Sequence, residues 1–394
     1  MATSLKNKIG LVLPLLFSTM LAVAQPVSFR SICLDLQTLQ KHLVPDKREA
    51  ILHIELGDTL SPKVVVKGET DLPGAKSAII RLLTEKGIAV VDSIRLLPDI
   101  SLGEKVWALA SLSVSNLRAL PDHAAELVSQ ELMGTPLKVL DVEDNWYHVQ
   151  TPENYIGWMD AGGLQLIDAN ELYRWKKAER YVFYELYGQV LDSPRRGADV
   201  VCDLVLGDLV ETETSIGGFL KVKLPDGRIG YVRKKQCLSW DAWVRAQPNA
   251  ESLLFIARQM MGMPYLWGGT SCKAADCSGF VKTVFFSQSI IVARDASQQA
   301  RYGENIALGH MTGLKPGDLL FFGASDKRIT HVGIYLEDSY FIHASGRVHI
   351  GSLDPGNPEY VDTRHHVSTR RILNSVGSEG IVRVKDHPWY AVQP

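Results

Sequence analysis

Apolar residues recur along this chain in three rhythms. Residues 51–56 and 64–66 run as strands, residues 72–86 carry apolar positions at helical spacing up to Gly87, and residues 88–92 return to a strand pattern. This first stretch predicts a small α/β unit. It holds no constellation of chemically active residues, so scaffolding is its expected role. From residue 106 to 240 the pattern changes to short apolar alternations divided by Gly, Pro and Asp turns, as in small all-β barrels. Further on, Asn249 can cap a helix whose Leu253, Leu254, Ala257 and Met261 form one apolar face, with Gly262 as its stop. Phe280, Val281, Val284 and Phe285 predict another helix starting near Cys277. Residues 331–335 and 340–344 alternate as two half-buried strands joined by Glu337, Asp338 and Ser339.

The barrel region repeats itself. Leu132-Met-Gly134 recurs as Val205-Leu-Gly207, Trp146 as Phe219, Val149 as Val222, Pro152 as Pro225 and Ile156-Gly-Trp158 as Ile229-Gly-Tyr231, each pair 73 residues apart. A constant offset over so long a stretch implies two copies of one unit. The copies differ where Tyr155 corresponds to Arg228 and Glu126 to Asp199.

Composition narrows the classes. Lys6 and Lys8, the apolar run over residues 9–23 and Ala22-Val-Ala24 read as a secretory signal peptide cut after Ala24. The run is short for a membrane span and is broken by Pro14, Ser18 and Thr19. Formal net charge is −2, and −4 once Lys6 and Lys8 are removed, which argues against nucleic acid or an anionic membrane surface as partner. The five cysteines, Cys33, Cys202, Cys237, Cys272 and Cys277, are an odd number for an exported chain, so at least one is free. Cys202 and Cys237 share the second barrel and are candidates for a bridge. Cys272 reads as a small buried residue, the alternative being a disulfide with Cys277 that switches activity off.

Cys277 is the candidate nucleophile. Gly268 and Gly269 let the chain turn sharply before Asp276-Cys277-Ser278-Gly279-Phe280, and a helix start favours a thiolate over a thiol. A strand histidine, His331, supplies a base. If the hairpin loop is centred on Glu337, His343 lies directly opposite His331 on the same face, as a third polar residue that orients it. The alternatives are a merely buried cysteine with core histidines, or zinc held by one Cys and two His, although the usual zinc spacings are absent.

Tyr265-Leu-Trp-Gly-Gly269, Asp276-Cys-Ser-Gly-Phe280, Arg294-Asp-Ala-Ser-Gln-Gln299, Lys315-Pro-Gly-Asp-Leu-Leu-Phe-Phe322, His331-Val-Gly-Ile-Tyr335 and Phe341-Ile-His-Ala344 resemble, in order, the signatures of the NlpC family. These are papain-like cysteine peptidases of bacterial cell-wall peptides, and the two repeats resemble bacterial SH3-like domains. The resemblance implies Cys277 as nucleophile, His331 as base, His343 as orienter and the Tyr265 hydroxyl as an oxyanion donor beside the Cys277 N–H. It also places Trp267, Asp276, Ser278 and Ser297 around the substrate. In relatives with two barrels, a Glu and a Tyr of the first hold the substrate's ammonium, which maps to Glu126 and Tyr155, with Asp276 sharing that charge. Tyr155 as an exposed strand aromatic and Glu126 as a solvated loop charge are the bland alternatives.

The expectation is therefore a multidomain α+β protein: signal peptide 1–24, N-terminal α/β unit 25–105, first SH3-like barrel 106–167, connector 168–180, second SH3-like barrel 181–245 and papain-like peptidase domain 246–394. The activity implied is hydrolysis of the γ-D-Glu to diamino acid bond in stem peptides beginning with free L-Ala, releasing L-Ala-γ-D-Glu. An endopeptidase on intact peptidoglycan and a catalytically idle wall-binding protein are the alternatives. No metal or other cofactor is needed. The expected partners are peptidoglycan-derived peptides, with no membrane anchor after signal cleavage, and the expected form is an exported monomer, periplasmic or extracellular.

Overall fold

The structure, a computed structural model, describes residues 29–57, 63–308, 311–361 and 365–392. The predicted signal peptide lies outside the described residues. The N-terminal unit sets two helices, Phe29–Leu43 and Pro73–Glu85, against strands ordered Leu52–Leu56, Val64–Thr70, Val90–Leu96. The first pair is antiparallel, whereas the second is parallel because the helix between them carries the chain back across the sheet. Ile32, Leu36, Val66, Ile79, Leu83 and Ile94 fill its core. The second helix ends just before Gly87, whose φ of +78° suits glycine.

Two seven-stranded sheets follow, and their strands keep the repeat. Trp107–Ala110, Val114–Arg118, Leu127–Leu132, Pro136–Glu143, Trp146–Gln150 and Ile156–Asp160 recur 73 residues later as Arg180–Phe183, Tyr187–Leu191, Val200–Val205, Leu209–Ile216, Phe219–Lys223 and Ile229–Arg233. Leu164–Ile167 and Cys237–Ser239 complete the sheets, and both pair their strands in the order seventh, first, fourth, fifth, sixth, second, third. Between them the helix Ala169–Lys177 starts with a capping box, Asp168 accepting from Glu171 N while Glu171 Oε2 accepts from Asp168 N. Strand pairing resumes at Arg180, inside the stretch expected as connector. Its buried guanidinium lies between the rings of Trp175 and Trp240, 4.3 and 3.7 Å from their centroids.

The remaining chain begins with the helix Ala250–Gln259, capped by Asn249, whose side chain accepts from Ser252 N at 2.9 Å. Ile256 joins Leu253 and Ala257 on its buried face, whereas Met261 is 46% exposed because the helix has already ended. The helix Cys277–Ser287 packs on an antiparallel sheet ordered Glu304–Asn305, His366–Arg371, Leu319–Ser325, Arg328–Tyr335, Tyr340–Ser345, Arg347–Ser352. Phe280, Val281, Val284 and Phe285 are fully buried.

The first barrel is bonded to this helix and to the turn before it. Lys282 Nζ lies 2.7 Å from Glu131 Oε1 and 2.5 Å from Glu153 Oε1. Thr270 donates its N–H to Gln130 Oε1 at 3.0 Å and its hydroxyl to Gln130 O at 2.6 Å. Barrel and nucleophile helix are thereby held in fixed register. None of the five cysteines is paired, and Cys272 is buried with its Sγ 2.7 Å from Leu186 O. Among the described residues no helix is long and apolar enough to cross a membrane.

Candidate active site

A cleft of about 410 Å³ opens between the first barrel and the C-terminal part of the chain. Arg48, Glu126, Tyr155, Tyr265, Trp267, Asp276, Cys277, Ser278, Arg294, Asp295 and Ser297 line it. All the residues expected to bind substrate are therefore brought together, along with three that were assigned no role.

Cys277 is the first residue of its helix, with Asp276 as the cap: Asp276 Oδ1 accepts from Gly279 N at 2.8 Å. Gly268 has φ +80°, and a Cβ there would sit 2.2 Å from Leu127 O, so the turn takes only glycine. A Cβ on Gly279 would lie 1.9 Å from Gly269 O, which lets the turn and the helix start close up. Burial, reinforced by the Asp276 carboxylate, pushes the Cys277 thiol up to about 11. Burial therefore works against the thiolate that the helix start favours.

The two histidines correct the expected hairpin. Ile334 pairs with Ile342 and Tyr335 with Phe341, so the loop is centred on Asp338, which adopts φ +47°, and not on Glu337. The same register sets Gly333 opposite His343 and leaves His331 diagonal to it, still on one face. His331 Nε2 and His343 Nδ1 are 2.7 Å apart, with the rings at 82°. Nε2 is thus committed to His343. Phe322 and Phe341 pack against the pair, which is 2% and 1% exposed.

Asp276 is placed differently from expectation. Arg294, 1% exposed, grips it with Nη2 at 2.6 Å and Nη1 at 3.2 Å, while Gly268 N donates at 3.0 Å. Burial would lower the Arg294 pKa, but Asp276 outweighs it and holds the guanidinium charged. With its oxygens spent on the cap, the turn and this fork, Asp276 is not left to share a substrate's ammonium. Ser278 belongs to the same knot, accepting from Arg294 Nη1 at 3.0 Å.

The barrel residues do reach the cleft. Trp267, 62% exposed, donates its indole N–H to Glu126 Oε1 at 2.7 Å, so this carboxylate stands at the rim with a fixed partner. Tyr155 is 6% exposed and donates its hydroxyl to Asp295 Oδ2 at 3.3 Å. Burial foremost, with the Asp295 charge, raises the Tyr155 pKa and keeps the phenol protonated as a donor.

Arg48 brings the N-terminal unit, expected to be scaffolding, into the lining of the cleft. Its Nη1 donates to Asp295 Oδ2 at 2.7 Å and to Ser297 Oγ at 3.1 Å, across 247 residues of chain. Arg294 and Asp295 stand in the 294–299 motif and could have been weighed by their charge. Arg48, on an ordinary polar turn, carries no local signal. Among the described residues no three His, Cys, Asp or Glu side chains gather as a metal site.

Comparison with known proteins finds relatives of both the barrel and the C-terminal part. Residues 262–370 match the NlpC/P60 family and residues 117–164 the bacterial dipeptidyl-peptidase SH3 domain. The chain is 29% identical over 265 residues to dipeptidyl-peptidase 6 of Lysinibacillus sphaericus, covering 64% of this chain and 94% of the relative. It is 28% identical over 303 residues to a γ-D-glutamyl-L-lysine dipeptidyl-peptidase of Bacillus cereus, covering 72% and 82%. A crystal structure of an NlpC/P60 family protein from Bacillus cereus, 22% identical, superposes with a TM-score of 0.59 over 67% of this chain and 99% of the other, and so shares the fold. The chain thus carries an NlpC/P60 domain over residues 262–370, preceded by an SH3 domain of the bacterial dipeptidyl-peptidase type in the first barrel, whose strand order the second barrel repeats.

Proposed function

We propose that the protein hydrolyses the γ-D-Glu to diamino acid bond of cell-wall stem peptides that begin with free L-Ala, acting outside the cytoplasm in peptidoglycan turnover. The observation that carries this reading is the charge of the cleft. Three carboxylates, Glu126, Asp276 and Asp295, line it with two guanidinium groups, Arg48 and Arg294, leaving one negative charge over. A substrate ammonium supplies the missing cation, held by Glu126 and Asp295 with Tyr155 beside them. The names of the relatives, dipeptidyl-peptidase 6 and γ-D-glutamyl-L-lysine dipeptidyl-peptidase, support a γ-D-glutamyl bond and the release of a dipeptide.

In the proposed reaction Cys277 Sγ attacks the γ-carbonyl carbon while its proton passes to His331. The tetrahedral oxyanion is met by the Cys277 N–H and the Tyr265 hydroxyl. His331 gives the proton to the departing amine as the C–N bond breaks, leaving a thioester. Water, deprotonated by His331, then cleaves the thioester and regenerates the thiol. His343 holds the His331 ring in place throughout, and Trp267, Ser278 and Ser297 shape the acyl side.

Mass spectrometry of products tests the proposal, with wild type and Cys277→Ala acting on L-Ala-γ-D-Glu-L-Lys and on its N-acetylated form. Cleavage of the free-amine peptide alone, absent in the variant, is the expected result. Equal cleavage of both would replace this function by that of a wall endopeptidase.

A further inference from the structure

We infer that Arg48 is a specificity-determining residue: the N-terminal unit closes the cleft beyond the substrate's amino end and so helps limit the enzyme to removing a dipeptide. The inference rests on the function proposed above, which puts the amine among Glu126, Tyr155 and Asp295. Anything attached to that nitrogen has to leave the cleft past these groups. On the Tyr155–Asp295 side the cleft wall is the guanidinium of Arg48, bonded to Asp295.

Arg48 is built in place. Its Nε and Nη2 form a fork on Asp46, at 2.8 Å to Oδ1 and 2.7 Å to Oδ2. Asp46 is in turn gripped by Arg301 and bonded by Gln298 Nε2 at 3.2 Å, both from the peptidase domain. Gln298 Nε2 also donates to Glu49 Oε1 at 2.7 Å. The backbone of the turn is pinned to the first barrel, where Ile156 N donates to Arg48 O at 2.8 Å and Gln150 Nε2 to Glu49 O at 3.0 Å. Burial works against the Asp46 charge, yet the hydrogen bonds from Arg48 and Arg301 hold the carboxyl well below its usual range. The guanidinium cannot swing aside without breaking that fork together with its contacts to Asp295 and Ser297. Three parts of the chain thus converge on one end of the cleft.

The test compares L-Ala-γ-D-Glu-L-Lys with Gly-L-Ala-γ-D-Glu-L-Lys. Both carry a free ammonium, so length differs and amine charge does not. In wild type the extended peptide is the poorer substrate, and in Arg48→Ala the ratio of kcat/KM, extended over parent, rises about tenfold or more. Arg48→Gln, which can still donate to Asp46 but falls short of Asp295, shifts the ratio in the same direction and carries the test if the alanine variant does not fold. A ratio within each variant is insensitive to a general loss of folded enzyme. If wild type cleaves the parent and the ratio is unchanged in the variants, or wild type cleaves both peptides equally, the inference is overturned alone. If wild type does not cleave the parent, the proposed function fails and the inference with it.

Discussion

Lys282 Nζ sits 2.7 Å from Glu131 Oε1, tying the helix that begins with Cys277 to the first barrel. The contact is buried, with side-chain exposures of 12% and 5%, and it includes a second carboxylate, Glu153, at 2.5 Å. Two carboxylates facing one ammonium in a dry interface cannot both stay charged cheaply. Burial first, then Glu153, pushes Glu131 up to about 8.

That shift predicts a pH dependence of stability. A carboxyl whose pKa is higher folded than unfolded stabilises the fold below its ordinary value of 4.5, and this is lost as pH rises towards about 8. Lys282 is raised, Glu131 and Glu153 outweighing its burial, so its contribution is lost only above its ordinary 10.5 and does not enter the window. His148, His366 and His387 are lowered by burial, so what they contribute is lost as pH falls below 6.5. Between pH 6.5 and 8 Glu131 acts together with Asp208, whose carboxyl burial also raises well above its ordinary value. Stability, read as Tm, should fall across that range by no more than the slope of two protons, about 2.7 kcal/mol per pH unit, and Glu131→Gln should make the fall shallower. A wild-type Tm constant from pH 6.5 to 8 would contradict the prediction.

His343→Ala should lower kcat on the free-amine peptide by about 10²–10³-fold with little change in KM, because the base loses its orienter while the amine site is untouched. His343→Asn should recover part of the loss, since an amide can still hold the ring nitrogen of His331. Equal kcat in the alanine and asparagine variants would argue that position 343 matters only for packing.

Glu126→Gln and Tyr155→Phe should act on recognition. KM for the free-amine peptide should rise about tenfold, and the preference over the N-acetylated peptide should shrink correspondingly. Parallel slowing of both peptides would instead mean that these residues support the fold of the cleft and do not read the amine.

Gly333→Ala tests the diagonal hairpin. A Cβ there would come 2.7 Å from Phe341 Cδ2 and 3.2 Å from His343 Cβ, so the strand has to give or His343 has to move. Overpacking of this kind costs about 1–3 kcal/mol, and activity should suffer as well as Tm because the ring that must give, Phe341, packs on His343. Activity equal to wild type would mean that the sheet adjusts without disturbing the pair.

Much of this architecture is legible from pattern alone. The barrel strands follow the 73-residue offset because turn and core positions repeat together, and local periodicity carries that information. Cys277 at a helix start was readable from the glycines, the Asp cap and the apolar face behind it. What pattern could not convey is partnership at a distance. Asp276 looks like a substrate carboxylate until Arg294 is seen gripping it. Arg48 looks like any solvated charge until the turn that carries it is folded against Asp295. The hairpin centre depended on two residues, Asp338 and Ser339, adopting φ of +47° and +72°, which a polar three-residue loop does not announce.

The convergence of Arg48, Glu126, Tyr155 and Cys277 on one cleft separates discrimination from chemistry along the chain. The proposed nucleophile, base and orienter all lie within residues 262–370, whereas of the groups proposed to inspect the amino end only Asp295 lies there, the others being Arg48, Glu126 and Tyr155. A growing chain therefore contains most of its inspectors before it contains its blade. Proteolytic release of the C-terminal part would reverse that order, freeing a hydrolase stripped of its gatekeeping.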